Sequence, residues 1–254
     1  MKTLAPAARV LLSTVADPFA AAEDLAAKGR AVGSPQWAQD VQSAIRFRPA
    51  EWKSLSSRPE GPLHPVEVGR AVQRILDRSR DAVLVADGGE FGQWAQACTS
   101  APTRLINGPG GSIGSAIPFA LAARLARPDA TVVAMLGDGT FGFHLAEVDT
   151  AARARLPFLA VIGNDACWNA EYQIQLRTYG RDRAHGCELL PARYDQAVTA
   201  LGGHGEQVVR ATDLAAALER ALASQRPACV NVMIERAPAP TVAQGAWLRA
   251  GAMH

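Results

Sequence analysis

The chain has 254 residues, of which 48% are hydrophobic, so it is long enough to bury the core of one large α/β domain with a smaller appendage. Its formal charge is +2, from 26 basic and 24 acidic residues, and no long basic block is present, which argues against a nucleic-acid partner. No run of about eighteen apolar residues occurs, so we expect no transmembrane helix and no membrane partner.

The remaining composition favours a cytoplasmic protein. Residues 1–12 resemble a signal peptide only weakly, because Arg9 interrupts them and their apolar core is short. The four cysteines show no C-x-x-C spacing, and a chain of this size needs no disulfide bonds, so we expect reduced thiols. Lysine occurs only at Lys2, Lys28 and Lys53, which excludes a P-loop or Schiff-base lysine from the main domain.

Residues 1–61 differ from the rest of the chain and are predicted to form an appendage and linker. A short helix is predicted at residues 17–29, whereas residues 34–62 are rich in Pro, Ser and Trp and show no sustained period. A helix and linker at the start are what we expect of a natural separate subunit. The main domain is predicted at residues 62–236, and a Pro- and Ala-rich, extended tail at residues 237–254.

Strand-like and helix-like patterns alternate along the main domain. The predicted strands are residues 82–86, 131–136, 158–163, 207–210 and 229–234, and the predicted helices are residues 66–76, 114–127, 145–155, 194–201 and 213–224. Strands separated by helices indicate βαβ units. The predicted fold class is therefore α/β, a doubly wound parallel sheet with helices on both faces, preceded by the N-terminal helical and irregular appendage.

A carboxylate between two glycines, Gly137-Asp138-Gly139, ends the predicted strand at residues 131–136. Asn164 ends the next strand, 26 residues further on, and one predicted helix separates the two. Because open α/β sheets bind ligands at the carboxyl ends of their strands, we expect Asp138 and Asn164 to lie side by side. Hard oxygen ligands beside exposed backbone amides suit a divalent cation that carries a phosphate.

Two further glycine-rich stretches follow predicted strands or open predicted helices. Residues 87–90 come directly after the first strand, and residues 107–114 open a helix. The glycine spacing in the second stretch does not match G-x-G-x-x-G and no clear strand precedes it, so a nicotinamide enzyme is disfavoured. Each stretch alone is a weak signal, but three glycine-rich clusters in one α/β unit favour a ligand site over ordinary turns.

Other polar pairs have alternative interpretations. His144 and Glu147 lie three residues apart on one predicted helix, and without a second histidine nearby a packed or solvated pair is favoured over a metal site. His185 and Cys187 follow an arginine-rich loop, which either lines the substrate side or is an ordinary solvated loop.

With these residues the chain resembles the thiamine diphosphate enzymes, specifically the diphosphate-binding domain of the acetolactate synthase, 2-hydroxyacyl-CoA lyase and oxalyl-CoA decarboxylase group. The similarity covers residues 62–235, essentially the whole main domain. The resemblance implies a parallel sheet of about six strands. It also implies two cofactors, thiamine diphosphate and a Mg2+ ion that joins its diphosphate to the protein.

The resemblance implies a set of site residues. Asp138 and Asn164 would bind the metal through side-chain oxygens, and Ala166 through its backbone carbonyl. Ile113 would support the bent cofactor, and the Gly111 carbonyl would accept a hydrogen bond from its amino group. The implied cofactor-binding residues are Gly88, Gly89, Glu90, Gly111, Ser112, Ile113, Gly137, Asp138, Gly139, Thr140, Asn164, Ala166, Cys167 and Trp168. Candidate substrate contacts are Trp168, Tyr172 and Gln173, which follow the metal-binding loop.

Two residues depart from the family pattern. Glu90 stands where a neutral or amide residue is expected, and Gly163 stands where many relatives have a second asparagine. No catalytic residue is assigned to this chain, because the family's activating glutamate belongs to a pyrimidine-binding domain for which residues 1–61 are too few.

The resemblance therefore implies a subunit of a thiamine diphosphate- and Mg2+-dependent lyase or carboligase, similar to 2-hydroxyacyl-CoA lyase. A second chain would bring the pyrimidine-binding domain and its glutamate, in a hetero-oligomer expected to be a heterotetramer. The expected substrate is a 2-oxo acid, an aldehyde or an acyl-CoA. The alternatives are a subunit of an acetolactate synthase-type carboligase or a 2-oxo acid decarboxylase, and a non-catalytic cofactor-binding fragment.

Overall fold

The computed structural model describes residues 15–29, 33–107 and 111–240. The chain divides into two compact units, Met1–Phe47 and Arg48–His254. Across the described ranges, none of the helices combines the length and the apolarity that crossing a bilayer requires. The signal-peptide-like residues 1–12 and most of the predicted tail, residues 241–254, lie outside the described residues.

The N-terminal unit contains two helices, α1 (Pro18–Lys28) and α2 (Pro35–Arg46). Each begins with a proline that follows a capping side chain: Asp17 accepts hydrogen bonds from two backbone N–H groups of α1, and Ser34 accepts one from α2. Helix α1 was predicted, but α2 falls in a stretch interpreted as linker. The signal for α2 was the apolar residues Trp37 and Val41, which lie one helical turn apart.

Residues 48–61 belong to the second unit because they are bonded to its first helix, α3 (Pro65–Arg78). The Arg70 guanidinium donates to the carbonyl oxygens of Trp52, at 2.5 Å, and Leu55. The Glu67 carboxylate accepts from the Ser57 backbone N–H at 2.8 Å. The division between the two units therefore falls after Phe47, whereas the composition places the end of the appendage at residue 61.

The second unit is built on six parallel strands in the order β2-β1-β3-β4-β6-β5, which confirms the predicted α/β class. The strands are β1 (Ala82–Ala86), β2 (Thr103–Ile106), β3 (Thr131–Gly137), β4 (Leu159–Asn164), β5 (His204–Val208) and β6 (Ala228–Met233). The remaining helices are α4 (Gly89–Cys98), α5 (Ala116–Ala126), α6 (Asp138–Gly142), α7 (Glu147–Ala154), α8 (Asn169–Tyr179), α9 (Tyr194–Ala200) and α10 (Ala211–Ala223).

Helices cover both faces of the sheet, so alternate residues of each central strand enter different cores. In β1, Leu84 packs with α3, α4 and α10, whereas Val83 and Val85 pack with α5, α7 and α9. All five residues of β1 are buried. A strand covered on both sides needs apolar residues at every position, which explains the continuous hydrophobic runs in the sequence.

Helices α4 and α8 lie where no helix is predicted, and three other parts of the chain also differ from the sequence prediction. Strand β2 precedes the glycine-rich stretch at residues 107–114, where no strand was expected, because this short edge strand alternates half-buried and exposed residues instead of forming an apolar run. Two helices, α6 and α7, separate β3 from β4, instead of one. Strand β5 lies at His204–Val208, three residues earlier than predicted at its start, and carries mostly half-buried residues.

Candidate functional site

The site lies where β1, β3 and β4 end. In the sheet, β2 lies on one side of β1 and β3 lies on the other, so the strand order reverses at β1. The carboxyl ends of β1 and β3 therefore form the topological switch point, which is where open sheets bind ligands. Strands β3 and β4 are neighbours, with Gly137 opposite Gly163. The expected adjacency of these two strand ends is therefore confirmed.

Asp138 has one carboxylate oxygen without a protein partner. Its side chain is 2% exposed, and its Oδ1 accepts a hydrogen bond from the Gly139 N–H at 2.9 Å. Its Oδ2 is buried and accepts no hydrogen bond within the described residues. Burial raises the pKa of Asp138 to about 6, although the Gly139 N–H stabilises the charged form. A buried oxygen in this state fits a ligand that the protein itself does not supply.

Asp165 faces the same cavity as Asp138. Its pKa is raised to about 7, first by burial and then by the negative charge of Asp138. Two neighbouring carboxylates, one with an unsatisfied oxygen, are the hard oxygen ligands that Mg2+ prefers. The acidic lining at Asp138 therefore fits a divalent cation.

Asn164 and Ala166, the other two predicted metal ligands, lie at the end of β4 and in the loop that follows it. Asn164 is fully buried, and its amide donates to the Ala192 carbonyl and to Asn231 Oδ1, both at 3.1 Å, while its Oδ1 accepts from the Ala166 N–H at 3.2 Å. The Ala166 carbonyl accepts from the Leu189 N–H at 2.8 Å and from the Arg236 guanidinium at 3.0 Å. The assignment of Asn164 and Ala166 as metal ligands stays a prediction.

Strand geometry directs the side chains of Asn164 and Asp165 to different places. Side chains alternate across a strand, so Asn164 shares a face with Ile162 and is directed toward the α9 side of the sheet. Asp165, the next residue, belongs to the loop and lines the cavity. Spacing along the sequence does not show which of two adjacent polar residues, one at the end of a strand and one directly after it, lines the cavity.

Asp87, at the end of β1, positions the glycine-rich loop. It is fully buried, and its carboxylate accepts from the backbone N–H groups of Gly88 at 2.7 Å, Gly114 at 3.1 Å and Ala116 at 2.7 Å. These bonds hold the loop against the strand end. Sequence reasoning did not include Asp87 among the site residues, although it stands beside two glycines that were included.

Ile113 is fixed over β1 by the same loop. A Cβ at Gly88 would lie 2.3 Å from Ile113 Cγ2, so the isoleucine packs directly on the glycine backbone. His144 Nδ1 lies 2.7 Å from the Gly114 carbonyl oxygen, and Gly114 has φ +100°, a conformation that favours glycine. His144 therefore has a packing role, as the sequence favoured, and the apolar wedge at Ile113 is held from both sides.

The cavity at the strand ends is lined by part of the predicted set. The predicted residues that line it are Gly89, Glu90, Ile113, Gly137, Asp138, Gly139, Thr140, Cys167 and Trp168. Those that do not are Gly88, Gly111, Ser112, Asn164, Ala166, Tyr172 and Gln173. The lining residues that sequence reasoning missed are Phe91, Gly163, Asp165, Asn169, Ala170 and Glu171.

Two glycines allow aromatic rings to form the walls of this cavity. A Cβ at Gly139 would lie 2.6 Å from the Trp168 ring, and a Cβ at Gly163 would lie 2.3 Å from the buried Phe91 ring. Packing therefore explains why glycine stands at residue 163, where many relatives have an asparagine: any larger residue would displace Phe91. The signal in the sequence was glycine at a strand end, which marks a close approach.

The acidic lining of the cavity favours a cation. Its described lining includes four carboxylates, those of Glu90, Asp138, Asp165 and Glu171, and neither lysine nor arginine. Such a site repels a free diphosphate, and a divalent cation between the carboxylates and the diphosphate reverses that repulsion. The chemistry of the lining therefore agrees with the unsatisfied Asp138 oxygen.

The C-terminal segment crosses one side of the site. Glu90 is 6% exposed, and its Oε2 accepts from the Ala239 N–H at 2.6 Å. The Ala237 carbonyl accepts weakly from Trp94 Nε1 at 3.4 Å and from Asn169 Nδ2 at 3.5 Å. Burial raises the pKa of Glu90, and the Ala239 N–H opposes this shift. Glu90, which departs from the family pattern, is thus hydrogen-bonded to the segment at residues 237–240 and holds it beside the site. This segment has no regular secondary structure.

The remaining polar groups show no second site. Among the described residues, no group of three or more His, Cys, Asp or Glu side chains has the arrangement to hold a metal ion. The arginine-rich loop around His185 is mostly exposed. All four cysteines are free thiols, as expected, and burial raises the pKa of Cys167 to about 12, so it is not a nucleophile at neutral pH.

The paired carboxylates predict how stability depends on pH. In the folded protein the pKa values of Asp138 and Asp165 lie above the ordinary 3.8. At pH values between 3.8 and these raised values, the folded protein therefore retains protons that the unfolded chain has already released. We expect the pair to reduce the free energy of unfolding of the metal-free protein by ~6 kcal/mol as pH rises from about 4 to about 7.

Urea unfolding of wild type and Asp165→Asn at several pH values measures this effect. The amide does not titrate and does not repel Asp138, so the variant is expected to gain stability relative to wild type as pH rises. A difference between the two proteins that stays constant with pH would contradict the coupling of these carboxylates.

The fold and the site together define the class of protein: an α/β domain with a cofactor-binding site at the switch point of a parallel sheet. A profile of the family "Thiamine pyrophosphate enzyme, C-terminal TPP binding domain" matches residues 87–232. The chain belongs to this family.

Curated relatives agree with the family. Over 178 residues, 68% of this chain and 32% of the relative, the sequence is 43% identical to a "Probable acetolactate synthase" of Mycobacterium bovis. Over 215 residues, 80% of this chain and 33% of the relative, it is 32% identical to human "2-hydroxyacyl-CoA lyase 2". The chain thus spans about a third of the length of these relatives.

Proposed function

We propose that this chain provides the diphosphate-binding half of a thiamine diphosphate- and Mg2+-dependent enzyme that cleaves or forms a carbon–carbon bond next to a carbonyl. The observation that carries the proposal is the buried Asp138 oxygen without a partner, beside Asp165 at the switch point of the sheet. The match to the thiamine pyrophosphate enzyme family supports the choice of cofactor. We also propose a cytoplasmic location, consistent with four free thiols.

The residues of this chain would act by binding and orienting. Asp138, Asn164 and the Ala166 carbonyl would hold the Mg2+, and the backbone N–H groups of Gly139 and Thr140 at the same strand end would donate to the diphosphate. Ile113, fixed on Gly88, would support the reactive ring. Trp168 covers the Gly139 backbone and limits the access of water to that side. When bound, thiamine diphosphate supplies the electron sink for the bond that breaks or forms.

The proposal includes a partner chain. The family profile that matches residues 87–232 is that of the cofactor-binding domain alone. The matched part of this chain covers only about a third of each curated relative, which leaves room in them for further domains. We propose that a second chain supplies the pyrimidine-binding domain and its activating glutamate, in a hetero-oligomer with the stoichiometry of a heterotetramer.

Two reactions remain candidates. Cleavage of a 2-hydroxyacyl-CoA into an aldehyde and formyl-CoA is the first, and the relationship to 2-hydroxyacyl-CoA lyase 2 over 80% of the chain supports it. Formation of acetolactate is the second, favoured by the higher identity of 43% to a probable acetolactate synthase. The substrate is accordingly a 2-hydroxyacyl-CoA in the first case, or an acyl-CoA and an aldehyde if the reaction runs as a ligation, and a 2-oxo acid in the second.

Calorimetry and turnover assays test the proposal. We expect the purified chain to bind thiamine diphosphate only when Mg2+ is present, because the cavity is acidic. We expect no turnover by the chain alone, and turnover after coexpression with a chain that carries the pyrimidine-binding domain. Aldehyde release from a 2-hydroxyacyl-CoA and acetolactate formation from pyruvate are measured in parallel.

Each outcome has a clear meaning. Turnover by the chain alone would contradict the need for a partner. Cofactor binding that does not depend on Mg2+ would contradict the cation site. Acetolactate formation without cleavage of the acyl-CoA would select the second candidate reaction.

A further inference from the structure

Two buried side-chain amides contact each other at the end of β4. Asn231 lies between two valines in β6, and it is fully buried, as Asn164 is. In the register of the two strands Asn231 pairs with Ile162, which shares a face of β4 with Asn164. Asn164 Nδ2 donates to Asn231 Oδ1 at 3.1 Å. A buried amide in an apolar strand needs hydrogen bonds to offset its desolvation, and this contact is one of them.

The Ala192 carbonyl fixes the orientation of both amides. Its oxygen lies 3.1 Å from Asn164 Nδ2 and 3.0 Å from Asn231 Nδ2. Because a carbonyl oxygen only accepts hydrogen bonds, each amide must turn its NH2 group toward Ala192. Both hydrogens of the Asn164 NH2 group are then used, one by Ala192 and one by Asn231. The Asn164 oxygen is therefore directed the other way, toward the loop after β4.

The groups on either side of the two amides agree with this orientation. Asn164 Oδ1 accepts from the Ala166 N–H at 3.2 Å, a contact that an NH2 group cannot make. Asn231 Nδ2 lies 3.4 Å from Asp195 Oδ1, and a carboxylate also only accepts. The Arg193 guanidinium holds that carboxylate in place at 3.0 and 2.6 Å. The orientation of Asn231 is thus fixed by two acceptors, Ala192 and Asp195.

The orientation of Asn164 matters because only the oxygen of an amide binds a cation. A flipped amide would present its NH2 group, which donates hydrogen bonds and repels a metal ion. Within the described residues Asn164 Oδ1 accepts one hydrogen bond, from Ala166. An amide oxygen has two lone pairs, so one of them is left for a cation.

We propose that Asn231 is a positioning residue for the cation: it fixes the Asn164 amide with its oxygen directed to the loop after β4, where the Mg2+ would be held. This inference rests on the proposed function, in which Asn164 is a metal ligand. Asn231 does not line the cavity, so its effect on the cation passes through Asn164.

Mn2+ serves as the probe, and its dissociation constant is measured by calorimetry on the full chain in the presence of thiamine diphosphate. Leucine has nearly the shape of asparagine without its polar atoms. We expect Asn231→Leu to weaken Mn2+ binding by ~10-fold, as is usual when a residue that orients a metal ligand is lost.

Thr99→Val is the matched control. Thr99 is also buried, and its Oγ1 donates to the Ala95 carbonyl at 2.5 Å, but it does not line the cavity. The substitution removes a buried hydrogen bond without changing the shape of the side chain. We expect the dissociation constant of this variant for Mn2+ to equal that of wild type.

A second substitution separates positioning from a general structural role. The two oxygens of a carboxylate are equivalent, so Asn164→Asp presents an oxygen to the cation in either orientation. We expect Asn231→Leu to change the Mn2+ dissociation constant much less in the Asn164→Asp background than in wild type. An equal change in both backgrounds would overturn the inference, because Asn231 would then act on the fold and not on the orientation of Asn164.

NMR of the wild-type chain tests the orientation without relying on the folding of Asn231→Leu. Isotope-labelled asparagine gives four side-chain signals, those of Asn107, Asn164, Asn169 and Asn231. We expect the Asn164 NH2 hydrogens to exchange with water at least ~10-fold more slowly than in the urea-unfolded chain, because both are hydrogen-bonded. The Asn164 signal should also shift when Mg2+ and thiamine diphosphate are added.

The outcomes distinguish this inference from the proposed function. Wild-type Mn2+ affinity in Asn231→Leu, or exchange of the Asn164 NH2 hydrogens at the unfolded rate, would overturn this inference alone. A wild-type chain that binds no Mn2+ would overturn the proposed function and this inference with it.

Discussion

Asp138→Ala is expected to raise the stability of the metal-free protein and to abolish its stabilisation by thiamine diphosphate and Mg2+. The pKa of Asp138 is raised from 3.8 to about 6 by burial, so its ionised form costs ~3 kcal/mol at neutral pH. Removing the carboxylate recovers this cost but loses the bond from the Gly139 N–H, worth ~1 kcal/mol. The expected net gain is ~1–2 kcal/mol, or a few degrees in melting temperature.

Thermal unfolding with and without the two ligands measures both effects. Wild type at a ligand concentration of about 100 times the dissociation constant should gain ~2.7 kcal/mol, and the variant should gain nothing. Asp149→Ala is the control, because this exposed aspartate on α7 forms only a surface ion pair with Arg153. A variant that is less stable without ligand and still gains stability with it would refute the assignment of Asp138.

Asp87→Ala is expected to lower the stability of the metal-free protein, whereas Asp138→Ala is expected to raise it. The carboxylate of Asp87 accepts three backbone hydrogen bonds at 2.7–3.1 Å, and all its oxygens are satisfied. Its removal leaves buried N–H groups of Gly88, Gly114 and Ala116 without an acceptor. Charge-assisted bonds are worth ~1.5–3 kcal/mol each and are not additive, so the expected loss is ~3–5 kcal/mol.

Urea unfolding at neutral pH measures this loss. Asp81→Ala is the matched control, because Asp81 precedes the same strand at its other end and forms a half-exposed ion pair with Arg127, for which a loss below ~1 kcal/mol is expected. If Asp87→Ala and Asp81→Ala cost the same, the carboxylate does not hold the glycine-rich loop. Asp87→Ala should also weaken cofactor binding, because Ile113 is carried by that loop.

The parts of the fold with continuous signals were predictable from sequence. Strands β1, β3 and β4 are apolar runs because helices cover both faces of the sheet, and α3 and α10 show their buried stripes directly. Edge elements gave no such signal. Strand β2 buries one face only partly, and α2 has few apolar residues, so both resemble loops until their partners are known.

The position of the candidate site was predictable from the sequence. Glycines flanking Asp138 identified the strand end, and the cavity does lie there. Asp165 lines the cavity but was not among the predicted residues, because spacing along the chain does not say which of two adjacent side chains leaves the strand toward the cavity. Phe91 carried no local signal, because its contact with Gly163 joins two strand ends that are far apart in the sequence.

The sequence by itself determined that this is a doubly wound α/β domain with a carboxylate at a glycine-flanked strand end, because both features follow from local composition and period. Only the tertiary structure decided what each buried carboxylate does. Asp87 and Asp138 look alike in sequence, each at the end of a strand and followed by glycine. Asp87 accepts from the neighbouring Gly88 N–H and from two N–H groups, of Gly114 and Ala116, at the start of α5, whereas one oxygen of Asp138 accepts no hydrogen bond within the described residues. Whether a buried polar atom finds a hydrogen-bond partner depends on long-range packing. The presence or absence of that partner distinguishes an aspartate with a structural role from one that binds a ligand.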